Sequence, residues 1–231
     1  MGSEWRFVVR EVLDRPTLRS LVVEVNDGIV AIAGVVEGFA GAGLTGSTLV
    51  LAAVCSVVAG AIALGGARYA EEAVERDARL VLIAEERRQL ELSPEQELAE
   101  LASLYEAKGL TRDLAESVAL QLSAIDPLAA HVEAEHNLSV RDVEVAPRII
   151  AVAAGLSFVA GSMVPLVAVL LTPDAWRAAV TFVTVLASLV LTSVFLARVG
   201  GTRVRTVLAR TMLTATAAMS LSLLVGSLFH P

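Results

Sequence analysis

The sequence predicts an all-helical membrane protein with five transmembrane helices. Hydrophobic residues make up 55% of the 231 residues, and the mean hydropathy of +0.69 is too high for an ordinary soluble domain. Five mostly apolar segments each have the length of about 20 residues that a helix needs to cross a bilayer. No strand pattern and no internal repeat stand out. The predicted spans are residues 21–44, 47–69, 148–171, 175–197 and 206–229.

A polar region separates the second span from the third. Residues 71–145 hold 18 acids and 7 bases, a net charge of −11, whereas the rest of the chain carries +4. This split predicts an acidic helical domain, residues 71–146, inserted into a membrane body of residues 21–70 and 147–231. No basic surface indicates nucleic-acid binding. No phosphate-binding loop, Cys pair or catalytic triad pattern indicates an enzyme.

Helix start and stop signals divide the polar region. The second span is predicted to continue as one helix to about residue 92. Ser93 and Gln96 then match a capping box, with a proline between them at the first helical position. Thr111 and Asp126 are the predicted caps of the next two helices. The three helices after residue 92 are predicted at about residues 94–108, 112–124 and 127–137.

The arginines predict the orientation. In a five-span arrangement ten arginines fall on one side of the membrane, and Arg177 alone flanks the other. The N-terminus and the acidic domain are therefore predicted to be cytoplasmic, with His230 outside. In the N-terminal segment, residues 1–20, residues 4–15 form either an amphipathic interfacial helix or a charged leader. Short loops and the lack of a targeting extension favour a bacterial plasma membrane.

Three acids lie in the first span, and their positions predict a role in handling protons or metal ions. An ionised carboxylate in hydrocarbon is costly unless it is paired, hydrated or bound to a cation. Asp27 shares one helical face with Ala31, Gly34, Gly38 and Ala42, small residues that let a second helix approach closely. Glu37 can face the same contact or act only as a structural hydrogen-bonding group. Glu24 is either an entry acid or a marker of the interface.

Helical spacing also groups potential metal ligands in the acidic domain. Three pairs share helix faces: Glu86 with Gln89, Glu97 with Glu100, and His131 with Glu135. Folded together, these helices could bring four carboxylates, an amide and an imidazole to one cavity. Such donors suit Fe²⁺, Mn²⁺ or Zn²⁺. Acidic helix faces are also commonly solvated and form only local ion pairs, such as Glu86 with Arg87 or Arg88, so the spacing leaves both interpretations open.

Four motifs resemble the vacuolar iron transporter family, in the right order over nearly the whole chain. They are NDGIV at 26–30, RRQLELSPEQELAELASLYEAKGL at 87–110, DPLAAHVEAEHNL at 126–138 and GSMVP at 161–165. The resemblance implies a homodimer whose first helices line a cation path. It also implies exchange of Fe²⁺, and often Mn²⁺, against protons, and a cytoplasmic helical metal-binding domain after the second span.

The resemblance assigns roles to individual positions. The family's first-span aspartate matches Asp27, and its glutamate-rich metal site matches Glu86, Glu97, Glu100 and Glu135. Gln89 stands at a further glutamate position of that site, and His131 stands where some members use a methionine or another ligand.

The second span departs from the family pattern. Leu64 stands where a methionine is common, and Arg68 replaces a carboxylate. A fixed cation at this position would repel a metal ion unless Glu71 or Glu72 neutralises it. Glu37, at a position that is usually apolar, is the predicted replacement as a cation or proton station.

The predicted function is export of Fe²⁺ or Mn²⁺ from the cytoplasm in exchange for protons, with Zn²⁺ and Co²⁺ as further candidates. The acidic domain captures the metal, and Asp27, Glu37 and Glu24 form the path. The predicted partners are a second copy of the chain, the lipid bilayer, metal ions and protons, with no permanently bound cofactor. The alternative is a non-transporting, membrane-tethered protein that binds or senses metal. The changes at Leu64 and Arg68 are the sequence features that support this alternative.

Overall fold

Every regular element in the computed structural model, which describes residues 15–139 and 146–229, is helical. The predictions for residues 4–14 and for His230 lie outside the described residues. A short 3₁₀ turn, Asp174–Trp176, precedes the seventh α-helix. The α-helices are α1 Arg15–Gly41, α2 Gly46–Leu92, α3 Pro94–Ala107, α4 Arg112–Ile125, α5 Pro127–His136, α6 Pro147–Leu171, α7 Arg177–Gly200 and α8 Val204–Leu228. The prediction that the second span continues as one helix to residue 92 is confirmed.

The chain divides into two compact units. The first, called the membrane unit, comprises residues 1–69 and 148–231. The second, called the polar unit, comprises residues 70–147. Helix α2 contributes its first half to the membrane unit and its second half to the polar unit.

Four helices of the described residues are long and apolar enough to cross a membrane, and they make this a membrane protein. They are α2, α6, α7 and α8. Helix α1 has 27 residues but is not one of the four, and it carries Glu24, Asp27 and Glu37. Whether α1 makes a fifth crossing stays a prediction.

Helix α1 packs against α6, α7 and α8 in the membrane unit. At the α1–α6 crossing, a Cβ atom on Gly161 would lie 1.9 Å from the carbonyl oxygen of Val25. At the α1–α8 crossing, a Cβ on Gly226 would lie 1.8 Å from the carbonyl oxygen of Gly38. Any side chain at either glycine would push the helices apart, so these two contacts fix α1 between its neighbours.

The ends of the short helices in the polar unit agree only partly with the predicted caps. Asp126 caps α5, because its Oδ1 accepts a hydrogen bond of 3.0 Å from the amide of Ala129. Ser93 and Thr111 occupy the predicted N-cap positions of α3 and α4, but neither side chain forms a capping hydrogen bond. The amide of Gln96, which a capping Ser93 side chain would bind, donates instead to the Ser93 backbone carbonyl at 3.0 Å.

A small apolar core holds the helices of the polar unit together. Leu101 of α3 and Ala119 of α4 are fully buried and pack together with α5. Ile83 of α2 packs against Val132 of α5. Because Ile83 lies one helical turn before Glu86, this contact turns the Glu86 face of α2 toward α5, which carries His131.

Candidate metal centre

Four metal-ligating side chains from three helices converge inside the polar unit. Glu86 comes from α2, Glu97 from α3, and both His131 and Glu135 come from α5. One ligand atom of each residue lies within 4.8 Å of the ligand atoms of the other three. Three carboxylates and one imidazole therefore lie close enough together to be ligands of one metal ion.

The imidazole of His131 lies at the centre of this group and is fully buried. Its Nδ1 atom is 3.0 Å from Oε1 of Glu86, 3.3 Å from Oε1 of Glu135 and 3.7 Å from Oε2 of Glu97. Its Nε2 atom has no hydrogen-bond partner among the described residues. One ring nitrogen thus faces three carboxylates, an arrangement that a shared cation would hold together.

Local helix geometry delivers each ligand to the cluster. His131 and Glu135 are four residues apart on α5, so their side chains lie on one face. Glu97 lies one turn before Leu101, whose complete burial anchors the same face of α3. The contact between α2 and α5 described above supplies Glu86.

Burial makes the empty cluster electrostatically unfavourable. Glu86 and Glu97 are only 4% and 6% exposed. Burial raises the pKa of Glu86, and the negative charge of Glu135 raises it further, while His131 acts in the opposite direction. In the described part of the chain, Oε2 of Glu97 has no hydrogen-bond partner, and the 3.0 Å contact of Glu86 Oε1 with Nδ1 of His131 does not have the geometry of a hydrogen bond. A divalent cation would compensate these buried charges, because buried carboxylates without donors are costly.

The other two predicted ligands, Gln89 and Glu100, are not among these four residues. Gln89 donates a hydrogen bond of 3.2 Å to Oε1 of Glu85, and Glu100 is exposed to solvent. Glu85 also pairs with Arg88 at 2.6 Å, and the hydrogen bonds that it accepts from Arg88 and Gln89 lower the pKa of Glu85 to about 2. The local ion pair on this helix therefore uses Glu85 and leaves Glu86 for the cluster. The i, i+3 and i, i+4 spacing of these residues was the signal in the sequence for that pair.

The acids of α1 occupy different environments in the membrane unit. A mostly apolar groove between α1 and α8 is lined by small residues of the predicted face, including Ala31, Gly34 and Gly38. Asp27, on the same face, is exposed. Glu37 does not line the groove; it is 3% exposed, and its Oε1 has no hydrogen-bond partner among the described residues. Glu37, which the sequence allowed to face a contact with a second copy of α1, is thus buried inside the membrane unit.

Glu24 and Arg68 form an ion pair that sequence reasoning missed. The Nε atom of Arg68 lies 2.9 Å from Oε1 of Glu24, and its Nη2 donates to Oγ of Ser20. The sequence suggested only Glu71 and Glu72 as acids that could neutralise Arg68. In the structure Glu24, 44 positions earlier, lies against the guanidinium.

These features define a helical membrane protein with a candidate transition-metal centre in an acidic unit. The chain belongs to the VIT family, whose family model matches residues 18–227. The family resemblance predicted from the four motifs is confirmed.

Three curated relatives carry related names. "Vacuolar iron transporter" of Acanthamoeba castellanii is 35% identical over 125 residues, which cover 54% of this chain and 44% of the relative. A protein of the same name from Plasmodium falciparum is 28% identical over 93 residues, covering 40% and 34%. "Vacuolar iron transporter 2" of Oryza sativa subsp. japonica is 27% identical over 186 residues, covering 79% and 73%. The chain thus matches less than half the length of the first two relatives.

Proposed function

We propose that the protein transports a divalent transition-metal ion, Fe²⁺ first, across a membrane in exchange for protons. The observation that carries the proposal is the buried cluster of Glu86, Glu97, His131 and Glu135, in which one oxygen each of Glu86 and Glu97 has no hydrogen-bond partner among the described residues. Three relatives named as vacuolar iron transporters support iron as cargo.

The donor set selects the kind of metal. Three carboxylates with one imidazole suit Fe²⁺ and Mn²⁺, and accommodate Zn²⁺ or Co²⁺, whereas soft Cu⁺ prefers sulfur. Residues 71–146 would then act as a cytoplasmic metal-binding domain. The excess of arginine on one side of a five-span arrangement supports the cytoplasmic location.

The acids of α1 supply the proposed route through the membrane unit. The other apolar segments contain no acidic or basic side chain over residues 47–67, 149–171, 178–197 and 211–228. No cation in these segments can balance Glu37, so its charge must be balanced by a proton or a bound metal ion. The same requirement applies to Asp27 once a second helix covers its face. Alternate occupancy of these carboxyls by protons and metal is the chemical basis of antiport.

The small-residue groove supports a homodimer through α1. Ala31, Gly34 and Gly38 leave room for a helix at close range, and Asp27 lies on the same face. A two-fold contact there would bring the two copies of Asp27 into one path, while each Glu37 would remain within its own subunit.

The experiment is metal uptake into proteoliposomes that contain a fluorescent chelator, with and without an imposed pH gradient. Wild-type protein should admit Fe²⁺ or Mn²⁺ faster when the lumen is the more acidic side, and Asp27→Asn should abolish the uptake. If wild-type protein binds metal but uptake does not exceed that of protein-free vesicles, the proposal fails. That result would favour the alternative of a membrane-tethered metal-binding or sensing protein.

A further inference from the structure

The Glu24–Arg68 contact joins two helices of the membrane unit through a buried carboxylate. Glu24 of α1 is 4% exposed, and its Oε1 receives both the guanidinium at 2.9 Å and a hydrogen bond of 3.2 Å from Oγ of Ser20. The Nη2 atom of Arg68 donates to the same hydroxyl. Two contacts from Arg68 thus hold its guanidinium on the first turns of α1.

The second oxygen of this carboxylate remains available for a ligand. Oε2 of Glu24 is buried and has no hydrogen-bond partner among the described residues. Asp27 follows one helical turn later on α1, so two carboxylates lie at neighbouring levels. Carboxylate oxygens are hard donors that bind divalent cations, and Oε2 of Glu24 has no other partner among the described residues.

Arg68 is positioned to compete with such a cation. A guanidinium is not deprotonated in proteins, so its positive charge is permanent. Because the guanidinium is covalently attached to α2, its local concentration at Glu24 does not depend on the protein concentration. Helix α2 is also held in place near Arg68, since a Cβ on Gly65 would lie 3.0 Å from the carbonyl oxygen of Ala151 in α6.

We propose that Arg68 is a tethered competitor that lowers the affinity of the Glu24–Asp27 region for divalent metal ions and so sets the metal concentration at which transport begins. This role rests on the proposed transport function, but it is expressed in metal binding as well as in flux. In this role Arg68 is a positioning residue that acts on metal affinity through its ion pair with Glu24.

The test measures Mn²⁺ binding to the full chain in detergent by electron paramagnetic resonance. The background variant Glu97→Gln, Glu135→Gln removes two carboxylates from the polar-unit cluster, so that the membrane unit can be observed. Arg68→Gln in this background should increase Mn²⁺ affinity about tenfold or more, because a charge next to the ion is lost. Adding Glu24→Gln to that variant should abolish the gain, whereas Arg68→Lys should show none.

The matched control is Arg19→Gln. Arg19 lies on α1 in the same unit and donates to the carbonyl oxygen of Val199 at 3.2 Å, so the change removes the same charge without touching Glu24. Equal Mn²⁺ affinity in the Arg68→Gln and Arg19→Gln variants would overturn the proposal. If Arg68→Gln does not give a monodisperse protein, Arg68→Met serves instead and carries the same expectation.

Binding and flux separate the two proposals. An Arg68→Gln gain in Mn²⁺ affinity without wild-type transport would reject the proposed function and leave the competitor role intact. Wild-type transport without an affinity gain in the Arg68→Gln variant would do the reverse. When both hold, Arg68→Gln should lower the Mn²⁺ concentration for half-maximal flux.

Discussion

Replacing Glu86 by glutamine should weaken metal binding and at the same time stabilise the metal-free polar unit. Glu86 is 4% exposed, and its ligand oxygen lies within 4.8 Å of those of Glu97 and Glu135. At that distance and an effective dielectric constant of about 20, each carboxylate pair repels by about 3.5 kcal/mol before relaxation. The substitution removes two such pairs and keeps the shape of the side chain.

The net effects are smaller than this gross repulsion, because the imidazole of His131 attracts Glu86. We expect a gain of about 1–2 kcal/mol in the free energy of opening the metal-free unit. Metal affinity should fall at least about 100-fold, since even residues that only support a ligand cost up to that factor.

The pH dependence has a defined sign. Because the folded state raises the pKa of Glu86 above its ordinary value of 4.5, it holds more protons than the unfolded state just above that pH. The metal-free unit should therefore become more stable as the pH falls through this window, and Glu86→Gln should lose this dependence.

The assay combines calorimetric Mn²⁺ titration with hydrogen–deuterium exchange of the peptides covering α3 and α5, both on the full chain in detergent. Exchange in metal-free Glu86→Gln should be about 5- to 30-fold slower than in the wild type. Glu91→Gln, an exposed change of the same charge on the same helix, is the control and should alter neither quantity. Unchanged affinity in Glu86→Gln, or faster exchange without metal, would refute the reasoning.

Three further predictions concern the other acids and the topology. Glu100→Gln should lower the metal affinity of the polar unit by less than about tenfold in calorimetry, because this exposed side chain acts only through space; a loss as large as that of Glu86→Gln would make it a ligand. In the Glu37→Gln variant, metal flux into proteoliposomes should persist but no longer depend on pH. An unchanged pH profile of the flux would make Glu37 purely structural. A cysteine at exposed Glu106, in a Cys55→Ser background, should resist impermeant thiol reagents in intact cells; its labelling would contradict the cytoplasmic location.

Local patterns in the sequence predicted the helices well. Apolar length predicted α2, α6, α7 and α8, and Asp126 predicted the start of α5 through a real side-chain cap. Ser93 occupies the N-cap position of α3 but its side chain makes no capping hydrogen bond, and its backbone angles of φ −144° and ψ 55° lie outside the extended range typical of a capping residue. Capping depends on the backbone angles of one residue, which a motif does not determine.

The candidate metal site was only partly predictable, because spacing gives the face of a helix and not its rotation toward neighbours. His131 and Glu135 share a face and join the cluster together, whereas Glu100, three residues after Glu97, is turned to solvent. The Glu24–Arg68 pair joins residues far apart in the chain, and only the packing of α1 against α2 reveals it. Long-range contacts of this kind have no periodic signal in one sequence.

Proton movement driven by metal alone tests the central claim most directly. Proteoliposomes would contain a pH-sensitive dye, have no initial pH gradient, and receive Mn²⁺ outside. Exchange of metal for protons predicts that the lumen becomes alkaline as Mn²⁺ enters, at a rate that falls to that of protein-free vesicles in the Asp27→Asn variant. Entry of Mn²⁺ without a change in lumenal pH would contradict proton-coupled transport.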